Sequence, residues 1–169
     1  MAQDSHKLLQ QMIQEYGDKV FRLALRYTGD HFQAEDITQE TFLRAFTHLE
    51  SFQRDKPAGP WLFTIAVNLC RSRFRRRRET PVPEIREPSK EPGPELQYLE
   101  KEREQELMQA LNQLPEMYRL PLLLKHVSLL SYGEICEVLG WELSLVKNRL
   151  YRGRMMLKKT FETRKEAVK

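Results

Sequence analysis

Ser131 to Arg154 reads Ser-Tyr-Gly-Glu-Ile-Cys-Glu-Val-Leu-Gly-Trp-Glu-Leu-Ser-Leu-Val-Lys-Asn-Arg-Leu-Tyr-Arg-Gly-Arg. Ser131 and Glu134 stand at the spacing of a capping box, in which each side chain satisfies a backbone N–H at the start of a helix. Ile135, Val138 and Leu139 give that short helix one apolar side, and Gly140 ends it. A second helix follows the turn. On it Val146, Leu150, Gly153 and Leu157 share one face, while Ser144, Lys147, Asn148, Tyr151 and Lys158 share the other, with Arg152 at its edge. Residues 143–159 hold six Lys+Arg and no acid. A short helix, a glycine turn and a basic helix with amide and aromatic groups on its free face form the geometry that reads a DNA major groove. Short helix pairs of this pattern also serve as plain packing units, so the pattern alone leaves both readings open.

Apolar residues recur at three and four along the rest of the chain, and no run of alternating β-branched residues interrupts them. The fold class is therefore all-α. Helices are expected over 4–27 (Leu8, Leu9, Met12, Ile13, Tyr16, Val20, Phe21, Ala24), 32–50, 60–78, 104–113, 116–127, 132–139 and 144–162. Pro121 lies six residues after Pro115, so the helix there is either kinked or starts afresh. Charge is uneven: residues 1–78 hold 13 basic and 9 acidic groups, 79–103 hold 4 and 7, and 104–169 hold 11 and 8. The acidic middle carries Pro81, Pro83, Pro88, Pro92 and Pro94 and lacks a large apolar residue over most of its length, too little to bury. Two small helical domains, 1–78 and 104–169, joined by a flexible acidic linker at 79–103, are the expected organisation. About twenty such residues reach at most about 70 Å, comparable to about two turns of B-DNA.

Two helical faces in the first domain carry chemistry. On a wheel of residues 34–49, Ala34, Ile37, Thr38, Thr41, Phe42, Ala45, Phe46 and Leu49 fill one side, and Asp36, Gln39, Glu40 and Leu43 fill the other. Acidic and amide groups around one leucine at i, i+3, i+4 and i+7 match a face offered to another helix. A solvated face with a stray leucine competes with that reading, and a metal-binding pair at Asp36 and Glu40 lacks a second pair of ligands. Residues 71–78 contain six arginines and no acid, which points to phosphate. Trp61, Thr64, Asn68, Arg71 and Arg75 continue that charge into one stripe, opposite Leu62, Ile65, Ala66, Leu69 and Cys70. An aromatic to stack on a base, an amide to read an edge and guanidinium groups to hold the backbone are the parts of a single-strand reader. Trp61 as partly core is the competing reading. Pro60 suits a first helical position, after a loop, Gln53 to Gly59, that walls a pocket.

The 169 residues carry a formal charge of +4 and are 40% apolar, enough to fold but little for one large core. Cys70 and Cys136 lie too far apart for a zinc or disulfide framework, so two reduced thiols and a cytoplasmic location are expected. No apolar stretch approaches the roughly 18 residues of a membrane span, and the polar start lacks the order of a signal peptide. No catalytic residue, metal, cofactor or small-molecule substrate is expected. A nuclease built on Asp36 and Glu40 lacks a histidine or third carboxylate at a useful spacing.

Taken together these segments resemble a bacterial sigma factor of the extracytoplasmic-function type. Asp36 to Phe46 (Asp-Ile-Thr-Gln-Glu-Thr-Phe-Leu-Arg-Ala-Phe) looks like the family's core-polymerase-binding helix, and Trp61 to Arg71 (Trp-Leu-Phe-Thr-Ile-Ala-Val-Asn-Leu-Cys-Arg) like its minus-10 reading helix. Leu114 to Arg119, Leu130 to Ile135 and Val146 to Arg154 look like its minus-35 domain. The resemblance covers nearly the whole chain. It implies that Asp36, Gln39, Glu40 and Leu43 grip the clamp coiled coil of the largest subunit of core RNA polymerase. It implies that Trp61, Thr64, Asn68, Arg71 and Arg75 serve the minus-10 element, with Asn68 and the Gln53 to Gly59 loop holding a flipped base. Ser144, Lys147, Asn148, Tyr151 and Arg152 then read the minus-35 duplex of promoter DNA. It also implies an inhibitory anti-sigma factor, often membrane-bound, and a role without covalent chemistry. Departures from the family pattern are Ser144-Leu145-Val146 at the turn, Gly133, and Gly153 where alanine is usual, the last at about 1 kcal/mol of helix propensity.

Overall fold

The computed structural model describes residues 2–79 and 95–167, with side chains over 4–76 and 101–163. Seven α-helices and no strand are found among the described residues: α1 (Ala2–Thr28), α2 (His31–Thr47), α3 (Ala58–Glu79), α4 (Glu95–Gln113), α5 (Glu116–His126), α6 (Tyr132–Leu139) and α7 (Leu143–Ala167). A 3-10 turn, Leu49–Ser51, follows α2. Residues 80–94 of the expected linker lie outside the described residues. Residues 95–103 are helical, which shortens it: directly after Pro94 the sequence turns to Glu, Leu, Gln and Lys, strong helix formers, and composition averaged over 79–103 hid that change.

In the first domain Asp30 caps α2 by accepting from the Gln33 N–H at 3.0 Å, and Gly29, with φ 69°, makes the turn that folds α2 back on α1. Val20, Leu23 and Ala24 of α1, Ala34, Ile37 and Ala45 of α2, and Leu62, Phe63, Ala66 and Cys70 of α3 have no exposed surface. Ile13 and Phe46, both placed inward by periodicity, are 45% and 41% exposed. Phe46 lies in the last turn of α2, where its ring stands 5.3 Å from that of His6. α3 begins at Ala58, so Pro60 is its third residue; the missing N–H still falls in the first turn, where it has no helical partner. Burial pushes the Cys70 thiol up to about 12, so it stays protonated and inert.

In the second domain Pro121 lies inside α5, which removes the reading of a fresh start there. Leu120, Leu122, Leu123 and Leu124 around it are buried, and that packing offsets the lost N–H. The capping box of α6 is formed, with Ser131 N–H donating to Glu134 Oε2 at 2.7 Å and Glu134 N–H to Ser131 Oγ at 3.2 Å. Gly140, at φ 66°, ends α6 in the left-handed region.

The domains touch. α3 packs on α6 and α1 on α5, and one hydrophobic cluster runs through both. Arg71 Nε donates to Glu116 Oε1 at 2.8 Å, Tyr27 Oη donates to the same oxygen at 3.0 Å, and Arg26 pairs with Glu104. The buried Arg119 lays its guanidinium 5.0 Å from the centre of the Tyr27 ring.

Gly153 has a structural role that propensity alone misjudges. A Cβ there would sit 2.9 Å from Leu122 Cδ1 and 3.3 Å from the Tyr118 carbonyl oxygen, so the missing side chain is what lets α7 press against α5. Gly153→Val is expected to cost about 1–3 kcal/mol by overpacking, read as a lower denaturant midpoint at unchanged m-value; equal or higher stability would show that α5 and α7 pack otherwise.

Candidate functional site

Three faces gather the candidate residues. On α2, Asp36 and Gln39 are exposed, Glu40 is half-buried, and Leu43 is 61% exposed. Asp36 pairs with Arg73 of α3 at 3.4 Å, and Glu40 accepts from Arg44 Nε at 2.7 Å. Phe32, one turn before Asp36 on the same stripe, is 79% exposed and was missed by a wheel begun at residue 34. Phe32 and Leu43 thus place two bulky apolar groups in solvent on one carboxylate-bearing stripe. No group of three metal-ligating side chains occurs among the described residues.

On α3, Asn68 and Arg75 are exposed and Trp61, Thr64 and Arg71 are half-buried. The Trp61 ring lies 4.9 Å from that of Phe52, tilted by 34°. The two rings, with Gln53, Lys56, Thr64 and Glu137, line a recess of about 290 Å³ beside the loop that precedes α3. That volume is at the small end of ligand-sized recesses. The Thr64 hydroxyl donates to the Pro60 carbonyl at 2.7 Å. Asn68 lies one turn further along α3 and does not line the recess, so the structure keeps it apart from the loop with which it was grouped. Glu137 comes from α6; its presence depends on the domain contact, which no local pattern announces.

On α7, Ser144, Lys147, Asn148, Tyr151 and Arg152 are all exposed, while Val146 and Leu150 are fully buried behind them. The reading of one polar face and one packed face describes this helix. Sequence reasoning missed Tyr118 of α5, whose hydroxyl accepts from Arg149 Nη1 at 3.1 Å with the same guanidinium 5.2 Å above its ring. Hydrogen bonding from Arg152, with Arg149 beside it, holds the pKa of that phenol below its ordinary value. The contact ties Arg149 of α7 to the neighbouring helix.

Comparison with known proteins gives one answer for both halves. The family description Sigma-70 region 2 matches residues 12–80, and Sigma-70, region 4 matches residues 104–157. The ECF RNA polymerase sigma factor SigW of Bacillus subtilis is 32% identical over 85% of this chain and 83% of its own. The ECF RNA polymerase sigma factor SigE of Mycolicibacterium smegmatis is 37% identical over 88% of this chain, which spans 59% of that longer relative. Among solved structures, the sigma factor RpoE in complex with the anti-sigma factor NepR from Bartonella quintana matches 92% of this chain and 98% of its own, with a TM-score of 0.73 and 25% identity. CnrH in complex with the cytosolic domain of CnrY shares the fold, at a TM-score of 0.75 over 96% of this chain and 94% of its own, with 24% identity.

Proposed function

Because the chain belongs to the ECF RNA polymerase sigma factors, we propose that its three faces divide promoter-directed initiation among them. Asp36, Gln39, Glu40 and Leu43 dock on the clamp coiled coil of core RNA polymerase. Trp61, Thr64, Asn68, Arg71 and Arg75 hold the minus-10 strand, and Ser144, Lys147, Asn148, Tyr151 and Arg152 read minus-35 as duplex. The first domain, 1–78, then carries polymerase and minus-10 binding, and the second, 104–169, carries minus-35 binding. An anti-sigma factor of the kind bound by the structural neighbour RpoE restrains the chain. The two free thiols and the lack of any helix long and apolar enough to cross a membrane among the described residues support a cytoplasmic setting.

The observation that carries this reading is Leu43, 61% exposed between carboxylates, with Phe32 in line behind it. A repressor that binds its operator unaided has no use for an acidic apolar face that repels phosphate, whereas a subunit that must seat on a larger machine does. Minus-10 strand capture needs a base drawn from the stack at a few kcal/mol, which an aromatic recess with flanking guanidinium groups is suited to offset.

Four substitutions test the three faces separately. Leu43→Asp should weaken polymerase binding by about two orders of magnitude, as for a central interface anchor, with unchanged circular dichroism; full binding would remove α2 from the interface. Asn68→Ala should slow open-complex formation more than closed-complex binding, followed by permanganate footprinting beside gel shift, and equal losses would refute a role in strand capture. Lys147→Ala should lower the salt slope of minus-35 binding by about 1, whereas Asn148→Ala should cost about 1–3 kcal/mol on the preferred sequence and little on others.

A further inference from the structure

The recess beside the loop that precedes α3 draws Phe52, Gln53 and Lys56 from the loop side and Pro60, Trp61 and Thr64 from the first turns of α3. Its width is therefore set by where α3 begins, and that start is held from outside the recess. Met12, Tyr16, Val20 and Leu23 recur at four, four and three along α1 and join the core, so Tyr16 projects from a helix packed against α3. The Tyr16 ring lies against the backbone of the buried Gly59: a Cβ on Gly59 would stand 3.1 Å from Tyr16 Cε1 and 3.5 Å from its Cζ and Oη. The fully buried Phe63 meets the same ring edge-on, with centroids 6.4 Å apart, and Lys19 Nζ stands over it at 5.4 Å. Burial, with Glu15 beside it, pushes the Tyr16 phenol up to about 12, so the ring meets Gly59 as a neutral body. The loop itself is pinned by Phe52 N–H donating to the Leu49 carbonyl at 3.2 Å and Lys56 N–H donating to the Gln53 carbonyl at 3.0 Å.

We propose that Tyr16 is a positioning residue for minus-10 strand capture. As an abutment against Gly59 it fixes the first turn of α3, and with it the separation between Trp61 and the loop into which a base must fit. The inference rests on the minus-10 assignment of α3 made above. Tyr16 does not line the recess, so it acts through Gly59 rather than by touching DNA. A gap of about 0.5–1 Å forfeits a quarter to a half of a dispersion contact, so a stacking recess works only if its walls are held in place. Gly59 is the matching half of the device, because the missing side chain lets the α3 backbone come that close to the ring.

The test uses the full chain assembled with core RNA polymerase, and a single strand carrying the minus-10 sequence that this assembly selects from a randomised pool. The strand is made intact and with an abasic site at each position in turn, and each dissociation constant is measured by fluorescence anisotropy. In the native assembly one abasic position should weaken binding roughly ten-fold, the loss of one stacked base. Tyr16→Leu should shrink that penalty to about three-fold or less, as for a contact half lost, at unchanged circular dichroism and polymerase binding. Tyr16→Phe, which keeps the ring, should retain the full penalty. Gly59→Ala, which pushes on the ring, should also shrink it, and carries the test if Tyr16→Leu does not fold. A residue needed only for stability would weaken intact and abasic strands alike and leave the penalty whole, which overturns the positioning role. A Tyr16→Phe variant as impaired as Tyr16→Leu overturns it too. If no abasic position costs the native assembly anything while it still binds minus-35 duplex, the minus-10 assignment itself has failed and the role of Tyr16 falls with it.

Discussion

Everything in this molecule turns on α3, a helix that must complete a hydrophobic core and still keep a cationic stripe in reach of solvent. Leu62, Phe63, Ala66, Val67 and Cys70 are at most 1% exposed, held between α1, α2 and α6. Packing on several sides leaves one narrow strip, and Trp61, Thr64, Asn68, Arg71 and Arg75 lie along it. A change of register by one residue turns the helix by about 100° and would drive Arg71 toward the core, where an unpaired charge costs several kcal/mol. The apolar side thus sets the direction of the polar one. The orientation of α3 then fixes where Arg73 meets Asp36 of α2, and so couples the cationic stripe to the acidic face beside it.

The three faces differ in the physics they use, which lets them sit on one small chain without interfering. α7 presents cations and amides on a helix whose buried back, Val146, Leu150 and Gly153, is pressed onto α5. α3 combines guanidinium groups with the Phe52 and Trp61 rings, the mixture suited to an unpaired strand. α2 carries Asp36 and Glu40, each paired with an arginine, on the stripe that exposes Phe32 and Leu43.

Much of this was legible in the sequence because most of it is local. The capping box at Ser131, the left-handed Gly140 and the two-sided α7 follow from neighbours within a few residues, and the structure repeats them. The sigma-type resemblance likewise rested on contiguous motifs. What escaped had one of two physical origins. Averaging hid the start of α4 at Glu95, since prolines and acids of the preceding stretch outweighed the helix formers behind them; the same window that described composition well placed a boundary badly. Contacts between distant segments hid the rest. Glu116 meets Arg71 across 45 residues and Tyr27 across 89, and no periodicity connects such positions. Gly153 shows the limit most plainly: propensity marked it as a defect, and only the approach of Leu122 and the Tyr118 carbonyl shows that a bulky side chain there would crowd the α5–α7 contact.

The contact between the domains combines half-exposed ion pairs with a shared apolar cluster. Arg71 and Glu116 are 39% and 40% exposed as side chains, so water screens their attraction and the pair is worth at most about 1 kcal/mol. Arg119 is buried with its Nε lacking a protein acceptor, a cost that hydration would relieve on separation. Tyr27, 4% exposed, has a hydroxyl that water can serve once Glu116 withdraws. Against these stands a shared apolar cluster that favours closure. Arg71, Glu116 and Arg119 thus leave the seam partly polar, and its attraction comes mainly from the apolar cluster.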